Sequence, residues 1–187
     1  MRRVYLIRHG KPSATWGGED NDPGLDETGK AQAESAAQVL LALPDRPQRV
    51  VSSPLRRCRE TAEPFARALG VAVEIDPRVG EIPTPHALAA EDRPAWLRQA
   101  FGGRWSEIEG DLDYQTWRAD VALAVAGHAG AAVFSHYVAI NAAVSSALGD
   151  ERMMGFRPDH CSITVFEPGK DGLLLVEKGR EAATQVL

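Results

Sequence analysis

The chain opens with an apolar run, Val4-Tyr5-Leu6-Ile7, that stops at Arg8-His9-Gly10. Four β-prone residues in a row, bounded by polar ones, read as a buried strand. Buried strands of α/β proteins present their functional groups at the carboxyl edge of the sheet. Arg8 and His9 therefore belong on that rim, and Gly10 lets the backbone turn sharply beside a ligand.

The rest of the chain repeats the alternation. Residues 11–24 are rich in Gly, Asp, Asn, Pro and Ser, a loop long enough to suspect function. Asp26 is the N-cap of a helix with Ala33, Ala36, Ala37, Leu40 and Leu41 on one face. Arg49–Ser52 reads as a second strand. Ser53-Pro54 reads as the start of a helix whose apolar positions are Leu55, Cys58, Ala62, Phe65 and Leu69. Gly70 closes it, and Pro64 within it predicts a kink or a split.

A third strand is expected over Val71–Ile75, then an irregular, proline-rich stretch over residues 77–110 with two short helical candidates. That stretch is a lid, a substrate-facing insertion or a plain surface excursion. Asp113 begins a further helix, Ala131–Ser135 is a fourth buried strand ending at His136, and a helix follows over Val138–Leu148, closed by Gly149. Ser162–Glu167 and Leu173–Glu177 pair as a hairpin. The alternation predicts an α/β fold, a three-layer α/β/α sandwich with a mostly parallel central sheet. At 187 residues a single domain spanning 1–187 is expected.

Composition excludes several classes. Apolar residues at 44% and charged residues at 25% are those of an ordinary globular protein. A net charge of −5 argues against nucleic-acid and anionic-membrane partners. It leaves room for an arginine-lined pocket that takes a small anion. Cys58 and Cys161 are far apart and form no CxxC pair, no signal-peptide pattern follows Arg2-Arg3, and no apolar run reaches the ~20 residues of a membrane span. A cytoplasmic location is the expectation, with the oligomeric state open. No HExxH or comparable spacing is present, so neither metal nor cofactor is expected.

Three strand ends share one rim in such a sheet. The first delivers Arg8 and His9, the second feeds a helix bearing Arg56, Arg57 and Arg59, and the fourth delivers His136. Arginine offers a planar fork of donors that matches phosphate oxygens. A helix N-terminus adds backbone donors for an anion. A neutral imidazole can attack phosphorus and carry the phosphoryl group as a covalent intermediate. Phosphoryl transfer then depends on positioning and on neutralising the transferring oxygens.

These pieces, Arg8-His9-Gly10, then Leu25 with Gly29, Gln32 and Ala33, then Ser52 to Cys58 through Thr61-Ala62, and the late strand ending at His136, resemble the histidine phosphatase (phosphoglycerate-mutase-like) superfamily. The resemblance implies a metal-independent phosphomonoesterase in which His9 becomes phosphohistidine. Arg8, Arg57 and His136 would hold the phosphoryl oxygens, and Glu81 would be the general acid, with Glu74, Asp76 and Glu91 as nearby alternatives. The substrate would be a small phosphorylated metabolite or a phosphoprotein. A mutase returning the phosphoryl group to substrate and a non-catalytic phosphate-binding regulator are the alternatives.

Departures from the family pattern stand at three places. Lys11 occupies a position often acidic, Tyr137 follows the late histidine where glycine is usual, and Thr15 lies where an asparagine is often found. Thr15, Asn21 and Tyr137 are thus candidate substrate contacts. His86, His128 and His160 read as surface or capping residues, with His160 placed nearest the rim. Trp16 and Trp105 are core packing or stacking platforms.

Overall fold

The structure, a computed structural model, describes residues 2–14 and 20–183. Its strands are β1 (Val4–Arg8), β2 (Arg49–Ser52), β3 (Val73–Ile75), β4 (Ala131–Ser135), β5 (Ile163–Gly169) and β6 (Gly172–Glu177). They form one sheet in the order β3-β2-β4-β1-β5-β6. β1, β2, β3 and β4 are parallel, β5 runs against β1, and β6 runs against β5. The helices are α1 (Glu27–Ala42), α2 (Arg56–Leu69), α3 (Arg93–Phe101), α4 (Tyr114–Ala126) and α5 (Tyr137–Leu148).

Strand alternation assigns the two cores. Tyr5, Ile7, Val50, Ala132 and Phe134 pack with Ala37 and Leu40 of α1 and Ala62 and Phe65 of α2. Val4, Leu6, Val51, Ala131 and Val133 point the other way, into a core with Val121 and Val125 of α4 and Ile140 and Val144 of α5. Successive side chains of a strand face opposite sides, so one strand feeds both layers. β1 and β4 are buried along their whole length, which explains their continuous apolar character. The expected α/β/α sandwich is the fold observed.

Several local expectations are corrected. α2 starts at Arg56, with Leu55 as its N-cap, rather than at Ser53-Pro54. The reason lies in the sheet. Ser53 N–H donates to Phe134 O (3.0 Å), extending the ladder, and the Ser53 hydroxyl accepts from His136 (2.8 Å). The N–H of Arg56 is instead taken by the Asp22 carboxylate of the first loop at 2.7 Å. α2 also runs unbroken through Pro64. β3 begins at Val73 because Gly70, at φ 70°, ends α2 in the left-handed conformation, and Val71 N–H still bonds back to Ala66 O. Residues 77–110 carry two short 3-10 turns, α3 and a third 3-10 turn, and bury Val79, Ile82, Leu97 and Trp105. Trp105 packs on Trp117 and donates to Ser145, so it is a core residue and no stacking platform. Among the described residues, no helix is long and apolar enough to cross a membrane.

Candidate active site

Register brings the site together. Arg8 pairs with Ser135 across β1 and β4, and Ser52 pairs with Phe134 across β2 and β4. The residues just beyond, His9, Ser53 and His136, therefore leave the sheet at one level. His9 N–H donates to Ser135 O at 3.0 Å. The rings of His9 and His136 stand edge to face, with centroids 5.4 Å apart. Both are almost wholly buried, at 6% and 0% exposure, as are Arg8 and Arg57 at 5% each.

Gly10 is required by a close approach. A Cβ there would lie 2.7 Å from Gly29 O, and a Cβ on Gly29 would meet Lys11 O at 2.1 Å. Two backbones touch where the first loop passes the opening turn of α1, and only glycine fits. Gly10 N–H donates to Thr61 Oγ (2.9 Å), whose hydroxyl donates to Arg57 O (2.6 Å). Thr61 thus locks the turn after His9 to the helix that carries Arg57. The sequence placed Thr61 in the motif that carries the resemblance, but spacing alone gave no sign of this tie.

Hydrogen bonds fix the tautomers. His9 Nδ1 lies 2.8 Å from Gly10 O. A carbonyl only accepts, so in the neutral ring Nδ1 carries the proton and Nε2 keeps its lone pair. His136 Nδ1 lies 3.2 Å from Arg57 Nη2, which only donates, and its Nε2 lies 2.8 Å from Ser53 Oγ. His136 therefore accepts from Arg57 and donates to Ser53. Burial, reinforced by the neighbouring His136 ring and by the Arg8 and Arg57 charges, holds His9 well below the usual histidine value. Burial and then the two arginines do the same to His136. Both rings are neutral at pH 7.

Glu81 reaches this cluster from the segment after β3. Its Oε2 lies 3.3 Å from Arg57 Nη2 and 3.4 Å from His136 Nδ1, and its Oε1 accepts from Ile82 N–H at 3.1 Å. Burial pushes its carboxyl up, against the pull of Arg57. An ionised carboxylate facing the lone pair of His136 Nδ1 is unfavourable, which adds to the case for a bound proton there. The other acidic candidates lie elsewhere. Glu74 pairs with Arg49, Asp76 with Arg78 and His128, and Glu91 is exposed.

Arg8 is held rather than loose. Nη1 donates to Pro158 O (3.0 Å), and its guanidinium sits 5.1 Å from the Tyr137 ring centroid. Burial lowers it to about 10, which leaves it charged at neutral pH. Tyr137 itself is 8% exposed, its hydroxyl meets Met154 Sδ at 3.1 Å, and its ring packs on Phe101. It backs Arg8, and its hydroxyl is engaged by Met154. Asn21 is exposed and makes no hydrogen bond to the cluster among the described residues. Thr15 and Trp16 lie outside the described residues. Arg56 pairs with Glu60 at the surface, and His86 is exposed beside Asp111.

The neighbour that sequence reasoning undervalued is His160, whose ring centroid lies 5.9 Å from that of His9. β5 runs against β1, so its beginning, rather than its end, lies on the rim that carries His9. The sequence placed His160 nearest the rim of the three remaining histidines but read it as a surface or capping residue, since nothing in its spacing shows that β5 pairs with β1. Among the described residues no group of three or more His, Cys, Asp or Glu is placed to hold a metal ion.

Comparison with known proteins bears on this geometry. A family model described as "Histidine phosphatase superfamily (branch 1)" matches residues 4–180. The chain is 30% identical over 186 residues to a probable phosphoglycerate mutase GpmB of Erwinia tasmaniensis, covering 88% of the chain and 84% of that protein. It is 36% identical over 83 residues to a glucosyl-3-phosphoglycerate phosphatase of Mycobacterium tuberculosis, covering 43% and 36%. A solved phosphoserine phosphatase of Entamoeba histolytica, in complex with 3-phosphoglyceric acid, superimposes with a TM-score of 0.75 over 96% of the chain and 98% of its own, at 21% identity. Of the first two curated relatives it matches, the chain spans 21% and 51% of their length.

Proposed function

The chain belongs to the histidine phosphatase superfamily, and on that premise we propose that it is a metal-independent phosphomonoesterase working through a phosphohistidine at His9. The observation that carries this reading is the pair His9 and Gly10. Nδ1 is committed to the Gly10 carbonyl, which leaves Nε2 as the nucleophilic nitrogen of a ring clustered with Arg8, Arg57 and His136.

In the first step His9 Nε2 attacks phosphorus and the ester P–O bond breaks, with its electron pair going to the leaving oxygen. Arg8 and Arg57 neutralise the phosphoryl oxygens, and neutral His136, held by Ser53 and Arg57, completes the cradle. Protonated Glu81, the form that burial favours, gives its proton to the leaving alkoxide. The Gly10 carbonyl supports the positive charge that forms on the His9 ring. In the second step ionised Glu81 takes a proton from water, whose oxygen attacks phosphorus. The N–P bond breaks, and inorganic phosphate and neutral His9 are released.

A small phosphorylated metabolite is the substrate class we favour, consistent with what the named relatives act on. Residues 77–110 would form the substrate-facing side within a single domain, a reading supported by Glu81 near their start and by Phe101 against Tyr137. The similarity to a probable phosphoglycerate mutase keeps one second reading in play, return of the phosphoryl group to substrate.

One experiment separates them. Wild type and His9→Ala are assayed on para-nitrophenyl phosphate with a metal chelator present, then wild type on a phosphorylated sugar acid. Phosphate release by wild type alone is the expected result. Equal activity of the two proteins, or no activity, would remove the catalytic reading, and isomerised product exceeding free phosphate would make it a mutase.

A further inference from the structure

His160 is held beside His9 by a turn that costs the backbone something. Ser162 N–H donates to Asp159 O (3.0 Å), which closes a four-residue turn with His160 and Cys161 at its centre. Cys161 sits at φ 55°, the left-handed region that a β-carbon disfavours. It is the one non-glycine residue with positive φ among the described residues. Strain of this kind persists where the surroundings over-determine it, and it clusters at ligand-binding sites.

The surroundings here are explicit. Cys161 N–H donates to Arg8 O (3.0 Å), and the Asp159 carboxylate accepts His160 N–H (2.8 Å) and Arg180 Nε (2.9 Å). Asp159 N–H in turn donates to Arg180 O (2.9 Å). The backbone of His160 is therefore pinned, while neither of its ring nitrogens takes a hydrogen bond among the described residues. The ring is half-buried, 5.9 Å from His9.

Charge defines what such a ring can bind. Burial and the adjacent Arg8 hold His160 down to about 4, so at neutral pH it offers one N–H donor and one nitrogen acceptor. That is the complement of a hydroxyl group, not of an anion. The three phosphoryl oxygens already have Arg8, Arg57 and His136 to face. The charged groups facing His160 include Arg8, Asp159, Asp26 and Lys11, and β5 borders β1 on the side opposite β4, so His160 comes to His9 from the side opposite the strand that delivers His136.

We propose that His160 is a substrate-contacting residue that hydrogen-bonds a hydroxyl on the alcohol half of the phosphate ester, so that the enzyme selects hydroxylated over plain alkyl leaving groups. This rests on the phosphatase reading above. The class of substrate it implies is a polyol or sugar phosphate with a hydroxyl near the ester oxygen.

Glycerol 3-phosphate and propyl phosphate differ in those hydroxyls at nearly constant shape, and para-nitrophenyl phosphate serves as a third substrate. Wild type should favour glycerol 3-phosphate over propyl phosphate by about tenfold in kcat/KM, the size of one hydrogen bond formed in a buried site. His160→Ala should bring the ratio of kcat/KM for glycerol 3-phosphate over propyl phosphate close to one, through KM on glycerol 3-phosphate, with circular dichroism reporting that it is folded. His160→Gln, with a donor and an acceptor, should keep part of the preference. The inference is overturned if wild type shows no preference, or if His160→Ala loses all three substrates in proportion. Failure of wild type on para-nitrophenyl phosphate would instead strike the phosphatase reading itself.

Discussion

The two flanks of His9 are built by different parts of the sheet. On one side stand Arg57, Glu81 and His136, delivered by strands that run parallel to β1 and by the segments that follow them. On the other stands His160, delivered by the start of the antiparallel β5. The first flank is densely cross-bonded: Arg57 to Glu81 and His136, His136 to Ser53, Thr61 to Gly10 and Arg57. Among the described residues the second is bonded through its backbone only, its ring standing beside His9 without a hydrogen bond. The difference separates two tasks. Charge neutralisation and proton transfer need side chains held by other side chains, whereas a contact to a variable leaving group needs a held backbone and a free ring.

The comparison breaks most visibly at Arg57. Arg57→Ala should lower kcat/KM about 10²- to 10³-fold, and Arg57→Lys should recover little, because a point charge replaces a fork that meets Glu81, His136 and phosphate together. Steady-state kinetics on any competent ester checks this, and retained activity would mean that another arginine does the work.

Glu81→Gln comes next, with a loss of about 10²-fold. The loss should be greater on alkyl than on aryl phosphates, since a phenolate leaves without a proton. Wild-type activity should fall as pH rises through the elevated Glu81 value, and this alkaline limb should flatten in Glu81→Gln. A profile unchanged by the substitution would remove Glu81 from proton transfer.

Acid stability sharpens the comparison without assaying activity. His9, His136 and His160 all have depressed folded-state values. Each takes up a proton on unfolding once the pH falls below its unfolded value near 6.5. Their contribution is complete above about 6.5 and is lost as pH falls toward and through the folded values, about 4 for His160. Glu81, with its raised value, works in the opposite direction. Denaturant titrations between pH 6.5 and pH 4 should show stability dropping, with a shallower slope in His160→Ala. An unchanged slope would contradict the placement of His160 in the buried cluster.

The smallest effect is expected at Asp22, which supplies from the first loop the cap that Leu55 does not give α2. Asp22→Ala should cost about 1 kcal/mol of stability, read as a lowered Tm, with kcat on para-nitrophenyl phosphate within about twofold of wild type. A loss of activity without loss of stability would show that the loop's hold on α2 serves the site itself.

What could be read from the chain follows the same division. Parallel strands announce themselves as apolar runs, and what they deliver follows closely in sequence: His9 after Ile7 and Arg8, His136 after Ser135, Arg57 in the first turn of the helix that follows Ser52. Helix ends were legible where glycine takes the left-handed conformation, as at Gly70 and Gly149. The start of α2 was misread because Ser53-Pro54 has the local chemistry of a cap, while the sheet ladder and His136 claim Ser53 first. A local preference of about 1 kcal/mol yields to tertiary bonding of that kind. His160 was obscured because its position depends on which strand pairs antiparallel with β1, and no spacing in the sequence encodes that. Tyr137 was legible as an unusual residue but not as the platform under Arg8, since that contact joins residues from two strand ends.

The central claim is the bond between His9 Nε2 and phosphorus. The direct measurement is rapid mixing of wild type with excess para-nitrophenyl phosphate, a quench in base, where phosphohistidine survives, and peptide mass spectrometry. One phosphoryl group on the peptide containing His9, absent in His9→Ala and lost on brief acid treatment, is the expected result. Turnover with no phosphorylated His9 peptide at any mixing time, or a phosphoryl group on another residue, would contradict it.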